Sequence, residues 1–183
     1  MKSSVSVLAA CALVTVLEGS AAAHITLVTP KPWTTANAGQ KGPPPCGLTS
    51  GTKSPTTYRP GETITVSWNE TINHPGRHRI IVAEEGTAFP NPMTVKDTNT
   101  TLPVFIDGIG AKTGMGGPSA YTQMVTLPNK PCASCILQVI QVMKVNPPYV
   151  VTANEDVYYQ CAAIVIAGEP MPSAGGIGRQ HHP

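Results

Sequence analysis

Residues 63–68 read Thr-Ile-Thr-Val-Ser-Trp, and this stretch decides the fold class. Apolar and polar side chains alternate strictly in it, so that Ile64, Val66 and Trp68 share one face and the hydroxyl-bearing residues share the other. A period of two residues is typical of a β-strand with one buried face. Residues 59–61, Arg-Pro-Gly, come shortly before it and form a turn signal. The stretch therefore predicts a strand that packs one face on a core and exposes the other.

Further segments of the chain have the same strand character and are bounded by Gly, Pro, Asn or Asp. They are His24–Val28, His78–Ala83, Tyr121–Leu127, Cys135–Met143 and Val157–Ile166. Short strands separated by turns, with no convincing helix, predict an all-β fold, an antiparallel β-sandwich of the immunoglobulin or fibronectin-III type. The segments Thr29–Tyr58 and Glu84–Ala120 lack strand character and are predicted to be long loops, which in compact domains are usually functional.

The composition excludes several classes of partner. The chain has 183 residues, 41% hydrophobic and 12% charged, with a formal net charge of +2. That charge is too small to indicate nucleic acid or an anionic membrane as a partner. The 19 prolines and 17 glycines favour turns over long helices. We therefore expect one domain that acts as a monomer, with no nucleic-acid or membrane partner.

The N-terminal residues have the pattern of a signal peptide, which predicts a secreted, extracellular protein. Lys2 supplies a positive charge, Val5–Leu17 is the apolar stretch, and Ala21–Ala23 provides the small residues of a cleavage site. Cleavage after Ala23 makes His24 the first residue of the mature protein. We expect the chain to divide into a signal peptide, a β-sandwich domain and a disordered tail, at residues 1–23, 24–166 and 167–183.

The cysteines of the mature chain indicate disulfides. Removal of the leader removes Cys11 and leaves Cys46, Cys132, Cys135 and Cys161, an even number in a secreted protein. Three pairings are possible, and the spacing of the CxxC pair favours a structural disulfide over a zinc site because no second such pair completes one. Two sequons, at Asn69 and Asn99, predict glycosylation.

A histidine at a free N-terminus is a metal-binding group. Its α-amine has an ordinary pKa of about 7.7–8, so a neutral nitrogen is available beside the imidazole near neutral pH. These nitrogens and a second histidine form a nitrogen-rich set, which favours copper, one ion per chain. The second histidine is sought among His74, His78, His181 and His182. His74 lies in a turn after the strand that ends at Trp68, where it can meet the N-terminus, whereas His78 lies within a predicted strand.

The ordered set of motifs resembles the lytic polysaccharide monooxygenases. The set comprises His24, Cys46, the strand that ends at Trp68, the turn His74-Pro75-Gly76, and the sequences Cys135-Ile136-Leu137-Gln138 and Tyr158-Tyr159-Gln160-Cys161-Ala162. The resemblance covers most of the mature domain. It implies that His24 and His74 bind catalytic copper, that Tyr158 is an axial group beside the metal, and that Gln138 or Gln141 orients bound oxygen.

The resemblance also implies a disulfide pairing and a reaction. It pairs Cys46 with Cys161 and leaves Cys132 with Cys135, although Cys161 with one member of the CxxC pair stays open. The implied reaction is oxidative: an external electron donor reduces the copper, oxygen or peroxide is consumed, and hydroxylation of a carbon breaks a glycosidic bond of a polysaccharide. The sequence does not specify the polysaccharide or the carbon that is oxidised.

Some features favour an alternative, a non-catalytic histidine-brace protein that binds copper for homeostasis or transport. Only 5% of residues are aromatic, and only Trp33 and Tyr121 are candidates for an exposed polysaccharide-binding face. Asp97 and Asp107, in the second predicted loop, could supply the extra ligand found in some copper-handling relatives. A plain adhesion sandwich is a third reading, in which the position of His24 at the cleavage site is accidental.

Overall fold

The computed structural model describes residues 25–33, 42–47, 53–72, 74–92, 98–112, 116–143 and 156–171. The predicted signal peptide, His24, Asp97, His181 and His182 lie outside these ranges. The strands are β1 (Ile25–Thr29), β2 (Thr56–Tyr58), β3 (Thr63–Glu70), β4 (Gly76–Glu84), β5 (Val104–Lys112), β6 (Ser119–Thr126), β7 (Cys132–Met143) and β8 (Val157–Ile166). Among these residues no helix is long and apolar enough to cross a membrane.

The strands form two sheets, which confirms the predicted β-sandwich. The smaller sheet has the order β1-β3-β6 and the larger the order β2-β8-β7-β4-β5. All pairings are antiparallel except that of the short edge strand β2, which runs parallel to β8. Residues 63–68, in which apolar and polar side chains alternate, belong to β3, and this strand lies at the centre of the smaller sheet.

The core lies between the two sheets, and strand alternation supplies it. In β3 the buried positions are Ile64, Val66, Trp68 and Glu70, with exposed or half-buried residues between them. Their apolar members pack against the inward residues of β7 and β8, such as Leu137, Val139 and Ala162. Full burial of a large apolar side chain contributes about 1.5–3 kcal/mol relative to exposure, so this interface is the main source of stability.

The outer face of the larger sheet is also covered, and for this reason β4, β7 and β8 are buried on both faces. Cys46 and Trp33 from the first predicted loop pack there against Ile136 and Cys161. Phe89, from the loop after β4, joins the same cluster. The two long loops therefore serve partly as a third layer over the sheet.

The predicted loops contain two strands that the sequence analysis did not identify. β2 has only three residues and no apolar alternation. β5 contains Gly108 and Gly110 at φ values of 75° and 60°, and its register with β4 shifts several times. Each bulge changes which face the next side chain occupies, so the period of two is lost in the sequence.

Both predicted disulfides are confirmed. Cys46 is bonded to Cys161 and so holds the first predicted loop on β8. Cys132 is bonded to Cys135 at the start of β7, where the register between β7 and β8 shifts. Cys161 lies opposite Gln138 and Cys135 lies opposite Ile164, so the alternative pairing between Cys161 and the CxxC pair is wrong.

Candidate metal centre

The turn between β3 and β4 carries His74 at one end of the sandwich. Gly76, the first residue of β4, has a φ of 146°, and a Cβ added to it would lie 2.0 Å from the carbonyl oxygen of Val142. Only glycine therefore lets β4 begin this close to β7. That approach determines where the turn lies and leaves His74 half-buried beside the end of β3.

The carboxylate of Glu70 is the polar centre of this end of the molecule. Glu70 is fully buried, and the backbone nitrogen of His74 donates a hydrogen bond to its Oε1 over 3.1 Å. The side-chain amide of Gln141 donates to the same oxygen, and the hydroxyl of Tyr121 donates to Oε2 over 2.9 Å. A buried carboxylate is stable only with such donors. Glu70 therefore connects the His74 turn to β6 and β7.

Sequence reasoning missed Glu70, although the signal was present. Residues 64, 66 and 68 alternate onto the buried face, and the same period places residue 70 on that face. A charged residue at a buried position of a strand indicates a paired or functional group, because an unpaired buried charge is costly. In the sequence, Glu70 is otherwise only the middle residue of the Asn69 sequon.

Tyr158 and Gln141 lie opposite each other on adjacent strands, both on the inner face of the larger sheet. Tyr158 is buried and Tyr159 packs in a separate cluster on the other face, as expected for consecutive strand residues. Burial raises the pKa of Tyr158 to about 12, so its phenol is neutral at physiological pH. The side-chain oxygen of Gln141 is buried and has no hydrogen-bond partner among the described residues.

The first strand begins at the same end. Ile25, the first described residue, is paired with Glu70, and Leu27 is paired with Trp68. The first described residue therefore lies beside Glu70 in the smaller sheet. His24 itself lies outside the described residues, so its contacts are not part of the site's observed geometry.

His78 lies deeper in the molecule than His74. It is 2% exposed, and its ring packs 4.6 Å from the ring of Tyr121 and 5.3 Å from that of Trp68, centroid to centroid. Its Nδ1 is 3.3 Å from the carbonyl oxygen of Ile109. Two of the predicted candidates for the second ligand are thus separated by environment: one in a turn at the end of the sandwich, the other in an aromatic cluster between the sheets.

Gln138 lies on the other side of the larger sheet from Gln141. Its amide donates to the carbonyl oxygen of Pro45, in the covering layer, and its neighbour across the ladder is Cys161. Of the two glutamines considered as groups near bound oxygen, only Gln141 contacts the residues around His74.

The Asp107 carboxylate forms ion pairs with two arginines on the outer face of β4 and β5. Arg77 Nη1 donates to its Oδ1, and Arg79 Nη2 lies 2.7 Å from its Oδ2. The backbone nitrogens of Asn99 and Gly108 donate to the same carboxylate. The Asp107 carboxylate, a candidate for an extra copper ligand, is therefore paired with two arginines.

The candidate aromatic residues of a binding face have different positions. Tyr121 is part of β6, where its ring is stacked on Trp68 with a centroid separation of 5.3 Å, and it bonds Glu70. The hydroxyl of Tyr121 therefore helps to hold the Glu70 carboxylate in place. Trp33 lies on the outer face of the larger sheet, where its backbone nitrogen donates to the carbonyl oxygen of Cys161.

Within the described ranges no group of three or more His, Cys, Asp or Glu residues is placed to hold a metal ion. The described residues at this end that were predicted to surround a metal are His74, Tyr158 and Gln141, and Tyr158 and Gln141 are partners across β7 and β8. One imidazole and a neutral phenol fit a nitrogen-ligated copper ion that takes its other nitrogens from an N-terminal histidine.

Comparison with known proteins identifies one family. A family model described as lytic polysaccharide mono-oxygenase, cellulose-degrading, matches residues 19–164. The matched range contains His24, His74, Tyr158 and nearly all of the eight strands. No curated protein and no solved structure matches the chain.

Proposed function

The chain belongs to the lytic polysaccharide monooxygenases, and on that basis we propose that it is a secreted copper enzyme that breaks glycosidic bonds of a polysaccharide by oxidation. The family is copper-dependent and acts with an external electron donor. The observation that supports the same activity in this chain is local. At one end of the sandwich, Glu70 accepts hydrogen bonds from the His74 turn and from Gln141. Ile25 at the start of β1 is the strand partner of Glu70, and Tyr158 is the strand partner of Gln141.

The α-amine and imidazole of His24 and the imidazole of His74 would hold the copper ion, and the phenol of Tyr158 would lie beside it. Copper, when bound, supplies the one-electron redox chemistry that activates oxygen or peroxide for attack on a carbon–hydrogen bond. Glu70 holds the His74 turn through the backbone nitrogen, so the backbone of His74 is in place before any ligand arrives. Tyr158 stays a neutral phenol because of its burial, and so adds no negative charge to the site.

Gln141 has the second role in this proposal. Its amide nitrogen is held by Glu70, which directs its oxygen away from that carboxylate. That oxygen has no hydrogen-bond partner among the described residues, so it can accept one from a water at the centre. Paired catalytic carboxylates, as used in glycoside hydrolysis, are not needed for this reaction.

The test is product analysis by mass spectrometry. The secreted protein is incubated with copper, a reductant and oxygen or peroxide on cellulose, chitin, pectin and other plant polymers. We expect oxidised oligosaccharides from at least one polymer, and we expect none from the His24→Ala variant or from the chelator-treated protein. Formation of peroxide does not count as activity, because any accessible reduced copper produces it.

Tight copper binding with no oxidised product on any polymer would contradict the enzyme and support the copper-handling alternative. Absence of copper binding in a protein that does begin at His24 would contradict both.

Glycosylation at Asn69 and Asn99 is part of the proposal for a secreted protein, and mass spectrometry of the same material tests it.

A further inference from the structure

A groove on the outer face of the larger sheet has the chemistry of a sugar-binding site. It has a volume of about 580 Å³ and is lined by Trp33, Pro43–Pro45, Glu85, Thr87 and Phe89. Binding clefts for small ligands are typically about 300–1,000 Å³. The backbone hydrogen bond from Trp33 to Cys161 and the Cys46–Cys161 disulfide fix one wall of the groove to β8.

This groove is separate from the metal centre. Ile136 lines it and lies five positions before Gln141 along β7, which is about 17 Å at the usual rise per strand residue. Ile136 also points to the outer face of the sheet, whereas Gln141 and Tyr158 point to the inner face. A ligand in the groove therefore makes no contact with the residues that surround His74.

The apolar walls of the groove are aromatic and preformed. Trp33 and Phe89 pack against the buried cluster of Cys46, Ile136 and Cys161, yet both remain partly exposed. Because that cluster includes a disulfide, the two rings lose little further entropy when a ligand binds. Rings held in this way offer a surface for the apolar carbon–hydrogen face of a pyranose.

The polar groups of the groove suit a neutral ligand. The Glu85 carboxylate accepts hydrogen bonds from Lys53 and, over 2.7 Å, from the Ser134 hydroxyl. These two bonds lower the pKa of Glu85, which remains an ionised acceptor on the rim. The Lys53 ammonium also lies 4.1 Å from the centre of the Trp33 ring. Lys53 and Glu85 compensate each other's charge, so the rim attracts neither anions nor cations strongly.

We propose that this groove binds a neutral oligosaccharide segment, with the sugar rings on Trp33 and Phe89 and a sugar hydroxyl donating to Glu85. The ligand class rests on the proposed function, since a polysaccharide enzyme meets long neutral glycans. A second contact of this kind holds the protein on the polymer while the metal centre acts elsewhere, and it raises the effective concentration of substrate at that centre.

The experiment is a titration followed by amide and indole NMR shifts on the secreted, copper-free protein. The probes are the soluble hexasaccharides of cellulose, chitin, mannan and β-1,3-glucan. We expect one of them to shift the Trp33 indole signal and the amides of Glu85 and Phe89. In the Trp33→Ala variant the affinity should fall by at least about tenfold, as for an aromatic anchor. Trp33→Phe and Glu85→Gln, which keep the shape of the wall, should weaken binding less.

Phe105→Ala is the matched control, because Phe105 is another partly buried aromatic residue and lines a different cavity. Its affinity for the hexasaccharide should equal that of the unmodified protein. A proline-rich decapeptide is tested as a competing class of ligand for the groove. The proposal is overturned if no hexasaccharide shifts the Trp33 signal, or if shifts occur only around Glu70 and His74. It is also overturned if the decapeptide shifts the Trp33 signal and no hexasaccharide does. Because no copper is present, these results are independent of whether the protein releases oxidised products.

Discussion

A single carboxylate determines the arrangement of the candidate metal centre at the scale of residues. Glu70 is buried at the end of β3 and accepts hydrogen bonds from a turn, from β6 and from β7. Its removal would leave the Gln141 amide and the His74 backbone nitrogen without that acceptor, and buried polar groups in that state cost about 1–3 kcal/mol each. The position of His74 therefore depends on a residue that is itself no metal ligand.

The identity of the second ligand gives the first prediction. His74→Ala removes a nitrogen ligand and should weaken Cu(II) binding by more than about 100-fold, measured by competition with a chelator of known affinity. His78→Ala should leave the affinity nearly unchanged but lower the free energy of unfolding by about 2 kcal/mol or more, because it empties space beside the stacked rings of Trp68 and Tyr121. Copper affinity should fall at low pH in the unmodified protein, since protons compete for the amine and imidazoles.

The opposite result for the two histidines would show that His78 is the ligand. Circular dichroism of both variants serves as the control, because loss of fold in either would remove the comparison. If either alanine variant loses its fold, His74→Gln and His78→Gln, which keep more of the side-chain volume, replace the alanine variants.

Two neighbouring tyrosines make stability depend on alkaline pH. Burial raises the pKa of Tyr158 and of Tyr159 to about 12, and the Asn91 hydrogen bond only partly opposes this at Tyr159. The unfolded chain ionises its tyrosines near a pKa of about 10. The folded state therefore holds more protons between these values, and its stability should be full below about pH 10 and fall as the pH rises to about 12.

Denaturant unfolding across this pH range measures the effect, with absorbance at the tyrosinate band as a second readout. Tyr158→Phe removes one of the groups and should make the decline shallower. Ionisation of all tyrosines near their ordinary pKa in the folded protein would contradict the prediction.

At the scale of elements, β4 is the strand on which the site depends most. It pairs with β5 and β7, is buried on both faces, and begins at the turn that carries His74. On its outer face Arg77 and Arg79 bind Asp107, which links it to β5 across the bulges. The start of β4 is the only part of it whose backbone lies too close to a neighbour for any side chain.

Replacement of that first residue is the prediction for this element. In Gly76→Ala the new Cβ would overlap the Val142 carbonyl oxygen, so β4 must move away from β7. We expect a loss of more than about 3 kcal/mol in the free energy of unfolding and weaker copper binding, because the His74 turn moves with the strand. Gly86→Ala is the matched control, since Gly86 also has a positive φ, 88°, but nothing lies within 4 Å of its added Cβ. That variant should lose only about 1 kcal/mol. Similar losses in both variants would mean that the backbone conformation alone, and not the close approach, explains the cost.

At the scale of the whole molecule, the sandwich has two functional regions in these proposals: a metal end and a groove on its outer layer. In the proposal, the mature N-terminus completes the metal end with the amine and imidazole of His24. Ile25 is anchored opposite Glu70, so a chain that begins one residue earlier has its amine next to this region.

The processing of the N-terminus is therefore a prediction about the entire protein. Secreted material should begin at His24, and N-terminal mass spectrometry should show this residue first. Addition of Cu(II) should then raise the melting temperature, because an ion that binds only the folded state stabilises it. A variant with Ala23 retained before His24 is the control and should show a much smaller increase. A natural start at Ala22 or Ile25 would contradict the proposed ligand set.

The sequence by itself determined the sandwich, the disulfide-forming cysteines and the turn with His74. Alternation in residues 63–68 and in the segments that became β7 and β8 is a local property, and burial of one strand face follows from it directly. The resemblance supplied the cysteine pairing, which strand register then confirmed. The strands and the turn were predictable because each depends on residues that are close in the chain, whereas the pairing of Cys46 with Cys161, 115 residues apart, came from the resemblance alone.

Only the tertiary structure decided which polar residues meet. Glu70, Tyr121 and Gln141 come from three strands in two sheets, and no spacing in the sequence relates them. Gln138 and Gln141 look equivalent in sequence, yet an odd separation places them on opposite faces of β7. The strand β5 and the buried pairing of Asp107 with arginines were hidden for a related reason. Bulges and long-range ion pairs depend on packing between distant segments, and packing is a property of the folded chain.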